Sequence, residues 1–106
     1  MANYLLLYSG GSMPETQAEQ AAVMKAWEAW FGRLGSALVD AGNPTTGNAK
    51  TIAGNGSVSD GAAGMAASGY SIIKANSLDE AVELAKGCPV LGGGAGVAVL
   101  ETFNVM

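Results

Sequence analysis

The stretch Tyr4-Leu5-Leu6-Leu7-Tyr8 constrains the fold more than any other. It reads as a strand, and side chains alternate across a strand. Tyr4, Leu6 and Tyr8 therefore point one way, and Leu5 and Leu7 the other. Neither set is polar. A sheet wetted on one side would alternate apolar with polar residues. Both faces of the sheet that holds this strand should therefore be covered.

A helix is predicted next. Ser12 and Glu15 form an S-x-x-E capping box, with Pro14 in the first turn. Met24, Trp27, Phe31, Leu34 and Leu38 then step by three and four residues, and Val23 and Trp30 widen the stripe. The spacing predicts a long helix running to about Asp40. Gly32 and Gly35 lie inside it at about 1 kcal/mol each relative to alanine. Gly42 is a natural stop, and Pro44 cannot continue the helix.

Residues 43–69 are rich in small residues. Lys50 to Ala53 reads as a short strand, Asn55-Gly56 as a hairpin turn, and Ser57 to Ser59 as the return. Ala62 to Ser68 reads as loop. Tyr70 to Ala75 is a further strand. Ser77 and Glu80 form a second capping box, and Leu78, Ala81, Val82 and Ala85 give the predicted buried face of the second helix. Gly87 ends it and Pro89 follows. Val97 to Val105 is the last predicted strand.

The order is β-α-β-β-α-β with an extra hairpin in the middle. That is an α+β, ferredoxin-like arrangement, with two helices on one face of an antiparallel sheet and a single domain over 1–106. The second face needs another cover. A second copy of the same sheet supplies one, so a two-fold homodimer is expected, a dimeric α/β barrel. Composition agrees: the chain is 49% apolar but only 13% charged, against roughly 25% in an average globular chain.

Several chemistries are excluded. The chain has no histidine, which removes Ser-His-Asp and Cys-His catalysis and imidazole metal sites. No metal-ligand spacing is present, and GGGAG at Gly92 to Gly96 precedes a strand rather than a helix, so no metal and no cofactor is expected. The net charge is −4 and the five basic residues are scattered singly, so neither nucleic acid nor an anionic membrane is an expected partner. The apolar run of five is too short to span a membrane. The single cysteine, Cys88, forms no intrachain disulfide, which fits a cytoplasmic setting.

YLLLY, the Trp27–Leu34 helix, ALVDAG from Ala37 to Gly42, SVSDG, and GYSIIKANSLDEAVELAKGCP from Gly69 to Pro89 together resemble the YCII-related proteins, including their DGPF-type branch. The resemblance covers nearly the whole chain. It implies a dimeric α/β barrel built on a ferredoxin-like subunit, in a family most of whose members have no established activity. Some members carry a histidine in the first helix and an aspartate before the proline after the second helix, the suggested active-site pair. The matching positions here are Val23 and Cys88. Of Asp-Gly-Pro-Phe only Asp60-Gly61 is retained, followed by Ala62-Ala63.

Four residues are candidates for a ligand site. Asp60 is either a base or acceptor at a pocket edge or a turn residue before glycine. Asp40 ends the first predicted helix, where a carboxylate is electrostatically unfavourable. It is either functional there or simply exposed. Glu101 is in phase with Val97, Val99, Phe103 and Val105. Were that face buried against a partner, its pKa would rise and it would be a candidate acid or base; the alternative is a strand-edge position reaching solvent, or a β-bulge that flips its direction. Tyr8 is the fourth, with its hydroxyl at a pocket or at a core rim. Asp60 and Glu101 are the candidate catalytic groups. Cys88 reads as a buried structural thiol. The expected function is small-molecule binding between sheet and helices near the dimer interface. The alternatives are an isomerase- or lyase-like enzyme with a carboxylate base and tyrosine acid, or a non-catalytic interaction module.

Overall fold

In the computed structural model, which describes residues 2–10, 16–46, 48–62, 67–93 and 95–104, the two-sided apolar strand takes the centre of the sheet. This strand, β1 (Ala2–Ser9), is flanked by β5 (Gly69–Ala75) and β6 (Gly96–Glu101). β2 (Leu38–Asp40) lies outside β5, giving the order β2-β5-β1-β6 with every pairing antiparallel. That is the ferredoxin-like order. Tyr4, Leu6 and Tyr8 stand opposite Ile73, Ser71 and Gly69 on one side and Glu101, Val99 and Val97 on the other. The face they share carries the core.

Both helices cover this face. α1 (Gln17–Leu34) contributes Trp30 and Leu34, and α2 (Leu78–Ala85) contributes Ala81 and Ala85, to one cluster with Tyr4, Leu6, Tyr8 and Ile73. Trp30 is 2% exposed, and its indole Nε1–H donates to the Leu84 carbonyl at 3.2 Å, tying α1 to the end of α2. The opposite face presents Leu5, Leu7, Tyr70 and Ile72 half-buried and Leu100 exposed, with no described helix against it.

The ends of the elements differ from the sequence expectation in ways with clear causes. Ser12, Pro14 and Glu15 lie outside the described residues. The observed N-cap is Thr16, whose hydroxyl accepts the Glu19 N–H at 3.1 Å. α1 stops at Leu34 rather than Asp40. Gly35 adopts φ +53°, a three-residue 3-10 turn (Gly35–Ala37) follows, and β2 begins at Leu38. The Leu34-to-Leu38 step mimics a helix, but the chain has already turned into the sheet edge. In α2 the serine half of the capping box forms as expected at Ser77, with the Glu80 N–H donating to its hydroxyl at 3.1 Å. The Glu80 carboxylate reaches Asn76 rather than the cap itself. The buried stripe is Ala81, Ala85 and half-buried Leu84. Leu78 and Val82 are exposed because the helix is only eight residues long and leans on its alanine side.

β6 ends at Glu101. Beyond it Thr102 bonds the Asn3 carbonyl through both its N–H and its hydroxyl, Phe103 is 83% exposed, and Val105 lies outside the described residues. β3 (Lys50–Ile52) and β4 (Val58–Asp60) form the expected hairpin as a separate two-stranded sheet. The return strand starts one residue later than expected, so Asp60 is its last residue. Gly56 takes φ +90° and the Asn55 carboxamide accepts the Ser57 N–H, as the Asn-Gly turn requires. Of the predicted loop from Ala62 to Ser68, residues 63–66 lie outside the described residues. No described helix is long and apolar enough to cross a membrane.

Candidate functional site

A cavity of about 520 Å³ opens between α1 and the β2–β5 side of the sheet. Its helical wall is Val23, Met24, Trp27 and Phe31, four residues at steps of one, three and four that present one side of α1. Val23 and Met24 are exposed because they face this opening and not the core. Trp27 stands edge-on to Tyr8 with ring centroids 5.3 Å apart, and Phe31 lies 5.5 Å from Trp27. The aromatic rings thus brace one another and hold the wall in shape.

The opposite wall is backbone of the sheet edge. After β2 the chain runs through Ala41–Pro44 alongside the start of β5, with Pro44 bridged to Gly69 and the Tyr70 N–H donating to the Asn43 carbonyl at 3.3 Å. Gly42 makes this approach possible. It adopts φ +73°, and a Cβ built on it would sit 1.7 Å from the Tyr70 carbonyl oxygen. No other residue type fits there. The Asp40 carboxylate accepts the Gly42 N–H at 2.8 Å and closes the turn.

Polar groups gather on this side. The Tyr8 hydroxyl donates to Ser71 Oγ at 2.7 Å, and the Ser71 hydroxyl donates to the Ala41 carbonyl at 2.7 Å. All three residues line the cavity. Ser71 is fully buried, and the pair supplies each other's missing partner, so the core carries no penalty for it. Burial pushes the Tyr8 phenol above its ordinary range, and the neighbouring Cys88 thiol adds to this while the Ser71 contact opposes it. Burial likewise raises the Cys88 thiol. Both groups keep their protons at neutral pH. The Tyr8 hydroxyl is a hydrogen-bonding group there, not an anionic base, and the thiol is not activated.

The four candidate residues are not brought together. Tyr8 lines the cavity. Asp40, at the end of β2 rather than of a helix, shapes the turn beside it. Asp60 sits on the hairpin, ion-paired with Lys50 at 2.7 Å with both side chains mostly exposed. Glu101 lies at the far end of the sheet, where its Oε1 accepts the Tyr4 hydroxyl at 3.1 Å. The Glu101 register places it on the helix-covered side of the sheet, so it does not point toward the open face. It lines a second opening of about 370 Å³ with Ala2, Asn3 and Thr102–Asn104.

Ser71 and the Ala41 carbonyl are the site groups that sequence reasoning missed. A signal for Ser71 was present: in YSIIKA it is in phase with Ile73 and Ala75, on the core side of the strand. The Ala41 carbonyl carries no sequence signal, because any residue has one.

No protein-family model matches the chain, and no curated protein matches it. Among solved structures, the chain is similar to 5-chloro-2-hydroxyhydroquinone dehydrochlorinase (TftG) from Burkholderia phenoliruptrix AC1100, in complex with 2,5-dihydroxybenzoquinone. The two are 17% identical with a TM-score of 0.57, over 96% of this chain and 93% of that one. At that identity the likeness is one of fold.

Proposed function

We propose that this chain is a small-molecule-binding protein of the YCII-like kind, with its ligand in the cavity between α1 and the sheet. The cavity itself carries the reading. It has the size of small-molecule sites, an apolar and aromatic wall, and a few convergent polar groups on one side. Two further features support it. Val23, at the position of the family's suggested histidine, lines the cavity, and Cys88, at the position of the suggested aspartate, abuts Tyr8. The similar fold of a dehydrochlorinase solved with 2,5-dihydroxybenzoquinone is that of a protein that handles a ring-sized molecule.

In this reading Tyr8 is the ligand contact and Asp40 supports the wall through the Gly42 turn. Asp60 and Glu101 stand apart from the cavity. A second copy covers the helix-free face at Leu5, Leu7 and Ile72, and the ligand site lies near that interface. Sedimentation at micromolar concentration checks this assembly: a dimer is expected, and Leu7→Glu should leave a monomer.

The binding test uses an uncharged fluorescent aromatic, N-phenyl-1-naphthylamine. Wild-type chain should enhance its emission saturably. Val23→Trp fills the opening from an exposed position, so binding should be lost with the melting temperature retained. A variant that still binds like wild type would show that the probe sits elsewhere and that the cavity is not the site.

A further inference from the structure

The polar wall of the cavity has a direction, and this deepens the binding reading, on which it rests. The Ala41 carbonyl can only accept, so the single proton of the Ser71 hydroxyl is committed to it. Ser71 then offers Tyr8 only lone pairs, and the Tyr8 proton is committed in turn. The Cys88 thiol lies beside Tyr8 and has a single proton, so it can engage only one of the phenol oxygen's two lone pairs. Tyr8 therefore meets a ligand as an acceptor, although a free phenol could do either.

Charge gives a second constraint. The chain has five basic residues, Lys25, Arg33, Lys50, Lys74 and Lys86, and none lines the cavity. Among the described residues, Glu28 is the one charged residue that does. An anion entering would lose hydration against an apolar wall with no cation to replace it. The aromatic wall of Trp27 and Phe31 favours a flat ring.

We infer that the cavity selects uncharged aromatic molecules that bring an O–H or N–H donor to the Tyr8 oxygen, and that it excludes organic anions. Phenols and neutral aromatic alcohols are the class.

Three rings of one size separate the terms by calorimetric titration at neutral pH: 2-naphthol, 2-methoxynaphthalene and 2-naphthoate. Naphthol should bind about five- to tenfold more tightly than the methoxy compound, the factor of one hydrogen bond. Naphthoate should bind most weakly. Ser71→Ala releases the Tyr8 proton toward the cavity, so the methoxy compound should gain on naphthol. Tyr8→Phe should bind both equally. Equal wild-type binding of naphthol and methoxynaphthalene, or naphthoate as tight as naphthol, overturns the selectivity while leaving the cavity as a binding site. Should none of the three bind or displace N-phenyl-1-naphthylamine, the binding reading itself fails.

Discussion

The molecule contains two antiparallel sheets built on opposite terms. The four-stranded sheet buries Tyr4, Leu6, Ile73 and Trp30 to 2% exposure or less. The β3–β4 hairpin leaves its cross-strand pair Ile52 and Val58 72% and 60% exposed, and its Lys50–Asp60 pair lies in water. An isolated two-stranded hairpin is marginal in water. Local hydrogen bonds and an Asn-Gly turn give the hairpin its shape. Burial gives the sheet its stability. Sequence pattern reveals both, yet among the described residues the larger sheet lines the cavity and the hairpin does not.

Substitutions can break this contrast or sharpen it. Gly42→Ala forces a Cβ into the Tyr70 carbonyl at a positive φ, and should cost about 5 kcal/mol or more in urea unfolding, or prevent folding. Trp30→Ala removes the largest buried side chain and its bond to Leu84. It should cost about 3–5 kcal/mol by the same measurement.

A smaller effect is expected from pH. Tyr8 and Cys88 have raised pKa values, so the folded chain keeps protons that the unfolded chain loses. Their contribution is complete below the ordinary thiol value of 9.0 and falls as pH rises through 9.0 and then through the ordinary phenol value of 10.0. Alkaline melts should show this decline, and Cys88→Ala should flatten its first part. Smallest of all, Asp60→Asn removes an exposed ion pair and should shift stability by about 0–1 kcal/mol. It should also leave binding of the naphthylamine probe unchanged. A large effect of Asp60→Asn on either would show that the hairpin has a role its exposure conceals.

Much of the sheet was legible because its signals are local and redundant. YLLLY declares two apolar faces, YSIIKA pairs with it, and Ser77 with Glu80 starts α2 where expected. β2 was hidden because Leu38 continues the helical spacing of Leu34. Only the positive φ of Gly35 ends the helix, and a glycine within a helical pattern does not announce its conformation. The cavity was half legible. Tyr8 and the Trp27 stripe were read from periodicity, but the chain from Tyr8 through Ser71 to Ala41 joins three distant segments. Asp60 is a lone charge in the small-residue run from Gly54 to Gly69. That contrast comes from composition and does not place it near the cavity.

The central position of β1 gives it two partners that leave the ribosome at different times. Tyr4 meets Glu101, a residue 97 positions later in the chain. At about 5–20 residues per second a ribosome takes roughly 5–20 s to deliver that partner. For all of that time YLLLY lacks its β6 partner. β5 reaches it first and leaves the other edge open. The two-sided apolar strand is thus translated well before the strand that completes its pairing.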